Sequence, residues 1–167
     1  DHVFFVDRED VGTAGVARNE WLPLGYDDEI YFPSEEKDFD IFMSGSIGPL
    51  YTRRRHFLEI LGASELSRKY HVKFIGTTGF RLKDLLIRTG RVEWVSKRVS
   101  PEMLARFQAR ARVCVNIHQD DGKFSVNPSF FSIPGSGTCQ LAEDKKHLGE
   151  FLEPGKEFQE FRDEDFI

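Results

Sequence analysis

Val113-Cys-Val-Asn-Ile-His118, followed by Gln119-Asp-Asp-Gly-Lys123 and then by Asn127-Pro-Ser-Phe-Phe-Ser-Ile-Pro-Gly-Ser-Gly-Thr-Cys-Gln-Leu141, is the stretch on which the fold turns. The first run is apolar without alternation, which predicts a strand covered on both faces. A polar loop follows. Asn127 and Pro128 then suit the cap and the first position of a short helix over 128–133. Gly135, Ser136 and Gly137 punctuate the chain before a second apolar run over 138–142. Strand, helix and strand joined by short connections predict a βαβ unit with parallel strands. A helix start facing a sheet edge offers backbone N–H groups that have no partner within the helix, which is the geometry of a phosphate or nucleotide site.

Working outward, the same alternation recurs. Phe39-Asp-Ile-Phe-Met-Ser44, Val72-Lys-Phe-Ile75, Val92-Glu-Trp-Val95 and Phe158-Gln-Glu-Phe161 read as strands. Between them, Phe57, Leu58, Leu61 and Leu66 recur at helical spacing over 51–70, and Leu82, Leu85 and Leu86 do so over 80–89. Ser100 and Pro101 open a further helix, and 147–152 reads as a last one, stopped by Pro154 and Gly155. The expected fold is α/β, a doubly wound parallel sheet of Rossmann-like type. Ahead of it, His2-Val-Phe-Phe-Val6 reads as a short strand, and 7–19 as a loop or weak helix. Trp21-Leu-Pro-Leu-Gly-Tyr-Asp27 reads as an extended connector rather than a ladder strand, because of Pro23 and Gly25. These opening residues read as an entry region, and 34–167 as the Rossmann-like domain, truncated at its C-terminus.

A chain of 167 residues is one domain's worth, long enough for a real core. Its hydrophobic fraction of 40% and charged fraction of 31% are those of a soluble globular domain. A net charge of −5 excludes a broad electrostatic grip on nucleic acid. Arg53-Arg54-Arg55 is the local exception, either an anion cluster or a solvated helix start. Cys114 and Cys139 lie in apolar runs and are expected to pack as small hydrophobes, which fits a reducing cytoplasm. No transmembrane run, signal peptide or metal-ligand spacing is present in the sequence.

Four features give the chain a resemblance. The connector Trp21-Leu-Pro-Leu-Gly-Tyr-Asp27 precedes Pro33. Phe39-Asp-Ile-Phe-Met-Ser-Gly45 precedes arginines and Leu58. Val99-Ser-Pro-Glu-Met-Leu-Ala-Arg-Phe-Gln-Ala-Arg-Ala-Arg-Val113 leads to Asn116-Ile-His118. Asn127 to Leu141 is followed by Glu150-Phe-Leu-Glu-Pro-Gly-Lys-Glu-Phe158. Taken in order, these resemble the C-terminal, donor-binding domain of GT-B group 1 glycosyltransferases, in the branch of spore-maturation-type enzymes. The resemblance implies binding of a nucleotide-diphosphate sugar as co-substrate, no resident cofactor or metal, and sugar transfer to an acceptor held by an N-terminal domain of the same protein; it makes 1–33 the tail of that preceding domain plus a linker. One departure stands out. The family signature reads Asn-x-Arg-x-Phe-Glu. Asn127 and Phe131 match it, but Ser129 stands for the Arg and Ser132 for the Glu. A serine carries no charge and reaches less far. The resemblance therefore allows an active transferase or a degenerate domain that acts as a binding or scaffold module.

The candidate site residues follow from the expected carboxyl ends of the strands. Gly45 and Ser46 are a diphosphate turn or a plain strand–helix turn. Gly76 and Thr77 contact ribose or base, or form a simple Thr/Gly loop. His118 is a donor-site hydrogen bonder or a surface-loop histidine. Asn127, Ser129 and Ser132 lie on the signature helix. Gly135, Ser136 and Gly137 let phosphate approach or cap that helix. Arg54 and Lys97 are the basic residues expected to offset diphosphate charge. Asp120-Asp-Gly122 reads as a solvated turn, and Phe130 and Phe131 as core. No catalytic residue is assignable.

Overall fold

The computed structural model describes residues 2–13, 15, 17–49, 51–77, 92–118, 126–145 and 147–162. Its centre is a six-stranded sheet built from β3 (Phe39–Ser44), β4 (Val72–Ile75), β5 (Val92–Val95), β6 (Ala111–Asn116), β7 (Cys139–Glu143) and β8 (Gln159–Phe161). All five ladders are parallel, and the spatial order is β5-β4-β3-β6-β7-β8. The order reverses between β3 and β6, so the crevice outside their carboxyl ends is the topological switch point.

Side chains on each strand alternate between the two faces. Ile41 and Met43 of β3, Val72 and Phe74 of β4, and Val115 of β6 join Phe57, Leu58 and Leu61 of α1 (Thr52–Ala63) in one core cluster. Phe42 of β3, Ile75 and Cys114 join Leu104 and Phe107 of α3 (Pro101–Ala109) and Ile133 of α4 (Ser129–Gly135) on the other face. The ring of Phe42 stacks on Phe107 at 6.0 Å between centroids, and Phe57 meets Phe161 edge-on at 5.2 Å. A third cluster, with Val126, Phe130, Ala142, Leu148 and Phe158, closes the β7–β8 end.

Several expectations are corrected. The helix expected over 51–70 breaks into α1 and a single turn, α2 (Leu66–Lys69), because Ser64 adopts an extended backbone. The Ser64 and Ser67 hydroxyls donate to the carbonyls of Leu61 and Gly62, competing with the helical ladder. Residues 148–150 form a 3-10 turn rather than an α-helix. Trp21 ends a true ladder strand, β2 (Asn19–Trp21), parallel to β1 (Val3–Phe5), and only the residues beyond it are irregular. Cys139 is exposed at the start of β7, whereas Cys114 is buried. The helix over 80–89, the Thr78 and Gly79 that continue the loop after β4, the Asp120-Asp-Gly122 turn, and Asp163, which by its position suits the cap of a following helix, lie outside the described residues.

The N-terminal strand pair contacts the segment between β7 and β8. Arg8 lies 4.1 Å above the Trp21 ring and pairs with Glu150 at 3.0 Å, and Trp21 meets Phe151 edge-on. The connector that follows packs against the end of α4. A side chain at Gly135 would strike the Tyr26 ring at 2.4 Å, and one at Gly137 would meet Pro33 at 2.7 Å.

Candidate functional site

The switch-point crevice holds a cavity of about 250 Å³. Ser44, Gly45 and Ser46 contribute from the end of β3, and Ile75, Gly76 and Thr77 from the end of β4. Lys97, Arg98 and Val99 come from beyond β5, with Leu104 of α3. Asn116 closes it from β6, Arg54 from the first turn of α1, and Asn127 and Ser129 from the start of α4. Three of these side chains are cationic, and among the described lining residues none is a carboxylate.

Two glycines allow the strand ends to meet. Gly45 has φ +132°, and a side chain there would collide with the Arg54 guanidinium at 2.6 Å. Gly76 has no unusual φ; its constraint is space, since a Cβ would fall 1.9 Å from the Gly45 carbonyl oxygen. The Gly45 N–H donates to Ile75 O, the Ile47 N–H donates to Thr77 O, and the Ser46 and Thr77 hydroxyls share a 3.1 Å hydrogen bond.

The arginine triplet resolves into three different roles. Arg54 is half-buried and donates through Nη1 to Ser46 O at 2.9 Å and through Nη2 to Ile117 O at 2.8 Å. Arg53 pairs with Glu143 at 3.0 Å, and Arg55 with Glu59 one turn along the helix. Cations at a helix N-terminus oppose its dipole, and α1 has no acidic residue in its first turn and no side-chain cap. A local conflict of this kind marks a place where another requirement overrides helix preference.

Amides wire α4 to the sheet. Asn127 Nδ2 donates to Asn116 Oδ1 at 2.9 Å, while Asn127 Oδ1 accepts from the Phe130 N–H at 3.1 Å. Gln140, fully buried on β7, receives Asn116 Nδ2 and donates to Phe130 O. Asn127 thus satisfies one first-turn N–H from outside the helix, whose own cap position is Pro128. α4 has only 7 residues, and the site draws its charge from side chains rather than from this short helix.

A larger cavity, about 480 Å³, lies between residues 29–34 and α3, on the side that leads to the amino end of β6. Glu29 and Glu102 line it together with Arg106 and Arg110, so it has no single-sign field.

A profile of the family described as glycosyl transferase-like matches residues 53–167, well over half of the chain and every strand of the sheet but β3. The chain belongs to the glycosyl transferase-like family. Among solved structures, sucrose-phosphate synthase from Thermosynechococcus elongatus aligns with TM-score 0.62 at 18% identity, over 91% of this chain and 41% of that one. The C-terminal domain of a glycosyl transferase group 1 family protein from Francisella tularensis aligns with TM-score 0.55 at 13% identity, over 77% and 74%. A GtfA/B complex aligns with TM-score 0.56 at 15% identity, over 87% and 29%. These similarities establish the fold, that of the C-terminal domain of a GT-B glycosyltransferase. The chain spans 41% of the sucrose-phosphate synthase chain. No curated protein matches it significantly. No helix among the described residues is long and apolar enough to cross a membrane.

In this glycosyl transferase-like domain, Gly45, Ser46, Arg54, Gly76, Thr77, Lys97, Asn127 and Ser129 come together around one cavity. Ser132, His118, Gly135, Ser136 and Gly137 do not line it. Ser132 points inward and donates to Gln108 Oε1 at 3.1 Å. Ser136 is fully buried, and its hydroxyl donates to Ser132 O. Gly135 and Gly137 sit at the far end of α4, where the helix turns back to the amino end of β7, and there they pack against Tyr26 and Pro33 of the connector. Replacing Ser132 by alanine is therefore expected to cost about 1 kcal/mol of stability in urea unfolding while leaving ligand affinity unchanged in calorimetry.

His118 is no surface-loop histidine. It is 3% exposed, beyond the carboxyl end of β6. Its backbone N–H donates to Glu143 Oε1, and its Nδ1 lies 3.5 Å from the same oxygen, too far for a good hydrogen bond. Burial pushes the imidazole below its ordinary value; Glu143 opposes this, while Lys145 and Arg54 reinforce it. Burial likewise resists ionisation of Glu143, but His118 and Arg53 outweigh it and hold the carboxyl below its ordinary value. Both folded-state values are depressed, so the unfolded chain binds more protons and stability falls with pH. The loss is expected to begin as pH drops through about 6.5, the ordinary histidine value, and to steepen below about 4.5, that of glutamate. Urea unfolding from pH 8 to 4 checks this, with the shallower upper step absent in His118→Asn.

Arg98, Asn116, Val99 and Leu104 line the cavity without being among the residues that the sequence marks as site candidates, and Glu143 is not among them either. The sequence held a signal for two of them. Asn116 and Glu143 are polar residues that directly follow the apolar runs Val113-Cys-Val115 and Leu141-Ala142, and burying such groups is costly unless they are paired.

Proposed function

We propose that this domain binds the diphosphate of a nucleotide-sugar donor in the switch-point cavity and serves sugar transfer to an acceptor. The observation that carries the reading is the cavity's charge. In a chain with 28 acidic and 23 basic residues, its described lining holds Arg54, Lys97 and Arg98 and no carboxylate. A pocket of one sign concentrates a ligand of the opposite sign. Arg54 is fixed in advance by two backbone carbonyls, so its charge needs no reorganisation as a diphosphate departs. Ser46, Thr77 and Asn127 supply the neutral hydrogen-bonding groups that a ribose or phosphate oxygen requires. The volume suits a diphosphate with part of a nucleoside, and falls below the roughly 300–1,000 Å³ of pockets that enclose a drug-sized ligand. The acceptor would be held by a second, N-terminal domain, and the spore-maturation branch is part of the same proposal.

A second reading, a domain that binds donor without transferring it, is favoured by Ser132, whose hydroxyl is turned into the core and bonded to Gln108. Calorimetry with UDP, GDP, CMP and inorganic pyrophosphate tests binding. Donor hydrolysis followed by release of the free diphosphate separates the readings. Saturable binding of one diphosphate with slow hydrolysis supports a transferase; binding with no hydrolysis favours the second reading; no binding removes both.

A further inference from the structure

We propose that Glu143 is a positioning residue for the anion site: it locks the first turn of α1 to the end of β6 so that Arg54 is held across the cavity. The inference rests on the diphosphate reading of that cavity, which Glu143 does not itself line.

The argument is one of adjacency. Arg53 and Arg54 are consecutive on α1, and Ile117 and His118 are consecutive beyond β6. Glu143 takes one member of each pair, the Arg53 guanidinium at 3.0 Å and the His118 backbone N–H. Arg54 takes the other relationship directly, reaching Ile117 O at 2.8 Å and Ser46 O at 2.9 Å. The same two segments are thus stapled twice, once by a carboxylate behind the site and once by the guanidinium that faces it. The Glu143 side chain is 3% exposed, so its reach is fixed by packing. Tyr51 makes no side-chain cap on α1, and the first turn carries arginines against the helix dipole. Groups behind a site that orient the groups touching its ligand commonly matter tenfold or more.

Coulomb's law gives the test its discriminating sign. Removing a carboxylate near an anion site should, by charge alone, tighten anion binding. Positioning predicts weaker binding. Glu143→Gln and Glu143→Asp are made in the 167-residue chain. Affinity for UDP and for inorganic pyrophosphate is read by calorimetry, thermal unfolding is followed, and the Arg54 Nε–H is observed by NMR. Both variants are expected to bind about tenfold more weakly, with a shifted Arg54 signal. The Asp variant, which keeps the charge but shortens the reach, guards against loss of fold in the Gln variant. Affinity equal to or tighter than wild type in a folded variant overturns the inference, as does an unmoved Arg54 signal in both. A wild-type chain that binds neither probe overturns the diphosphate reading instead; the Arg54 signal then still decides whether Glu143 positions it.

Discussion

Arg54→Met is expected to weaken binding of a nucleoside diphosphate about 100-fold, equivalent to about 2.7 kcal/mol. Two losses combine. A guanidinium that faces an anionic oxygen makes a charge-assisted bond of the stronger kind. Its two η nitrogens also hold Ser46 O and Ile117 O, so the β3 turn and the end of β6 lose their shared staple. The second loss shows separately, as about 1–2 kcal/mol in urea unfolding without ligand. Arg54→Lys divides the two effects. It retains the charge, but a single ammonium on a flexible stem does not reproduce a planar fork spanning two carbonyls. Its affinity is expected between those of wild type and Arg54→Met, with stability near the latter. Equal affinity in all three proteins would place the ligand elsewhere.

Gly76→Ala is expected to be the most damaging single-methyl addition in the described sheet, at about 3 kcal/mol or more, read as a lower urea midpoint. The new Cβ would fall 1.9 Å from the Gly45 carbonyl oxygen and 2.5 Å from the Phe74 ring. Gly45 is fixed by its own N–H bond to Ile75 and by a φ that only glycine tolerates well. The ends of β3 and β4 must therefore separate. That opens the Ser46–Thr77 hydrogen bond and the Ile47–Thr77 backbone bond on the cavity floor. Diphosphate binding is expected to disappear with it. Gly62→Ala is the control: its nearest neighbour outside the helix is a Val92 methyl at 3.5 Å, an ordinary contact, and alanine favours the helix.

Much of this fold is legible along the chain because the sheet is parallel and buried. Runs such as Val113-Cys-Val-Asn-Ile-His118 carry their own strand signal, and Ser100-Pro101 announces a helix by its cap. The signal fails where neighbours in space decide. Asn19–Trp21 is too short and mixed to announce a strand; it is one because Val3–Phe5 lies alongside. Ser64 breaks a helix that periodicity alone carries onward to Leu66. The site divides along the same line. Gly45, Ser46, Gly76 and Thr77 sit at strand ends, and strand ends can be located from sequence. The inward turn of Ser132, the connector packing of Gly135 and Gly137, and the Arg53–Glu143–His118 cluster depend on which face of each element meets which neighbour. Residues 24 to 109 positions apart in the chain make those contacts, beyond the reach of local pattern.

The account turns on where a diphosphate binds. Uniformly labelled protein titrated with UDP and GDP, followed by backbone amide and arginine side-chain NMR signals, reads this directly. Saturating shifts at Ser46, Thr77, Lys97 and the Arg54 guanidinium, with the amides of Gly135 and Gly137 unmoved, are the predicted result. Shifts confined to the groove between residues 29–34 and α3, or none at any nucleotide concentration that Arg54→Met does not also show, would contradict it.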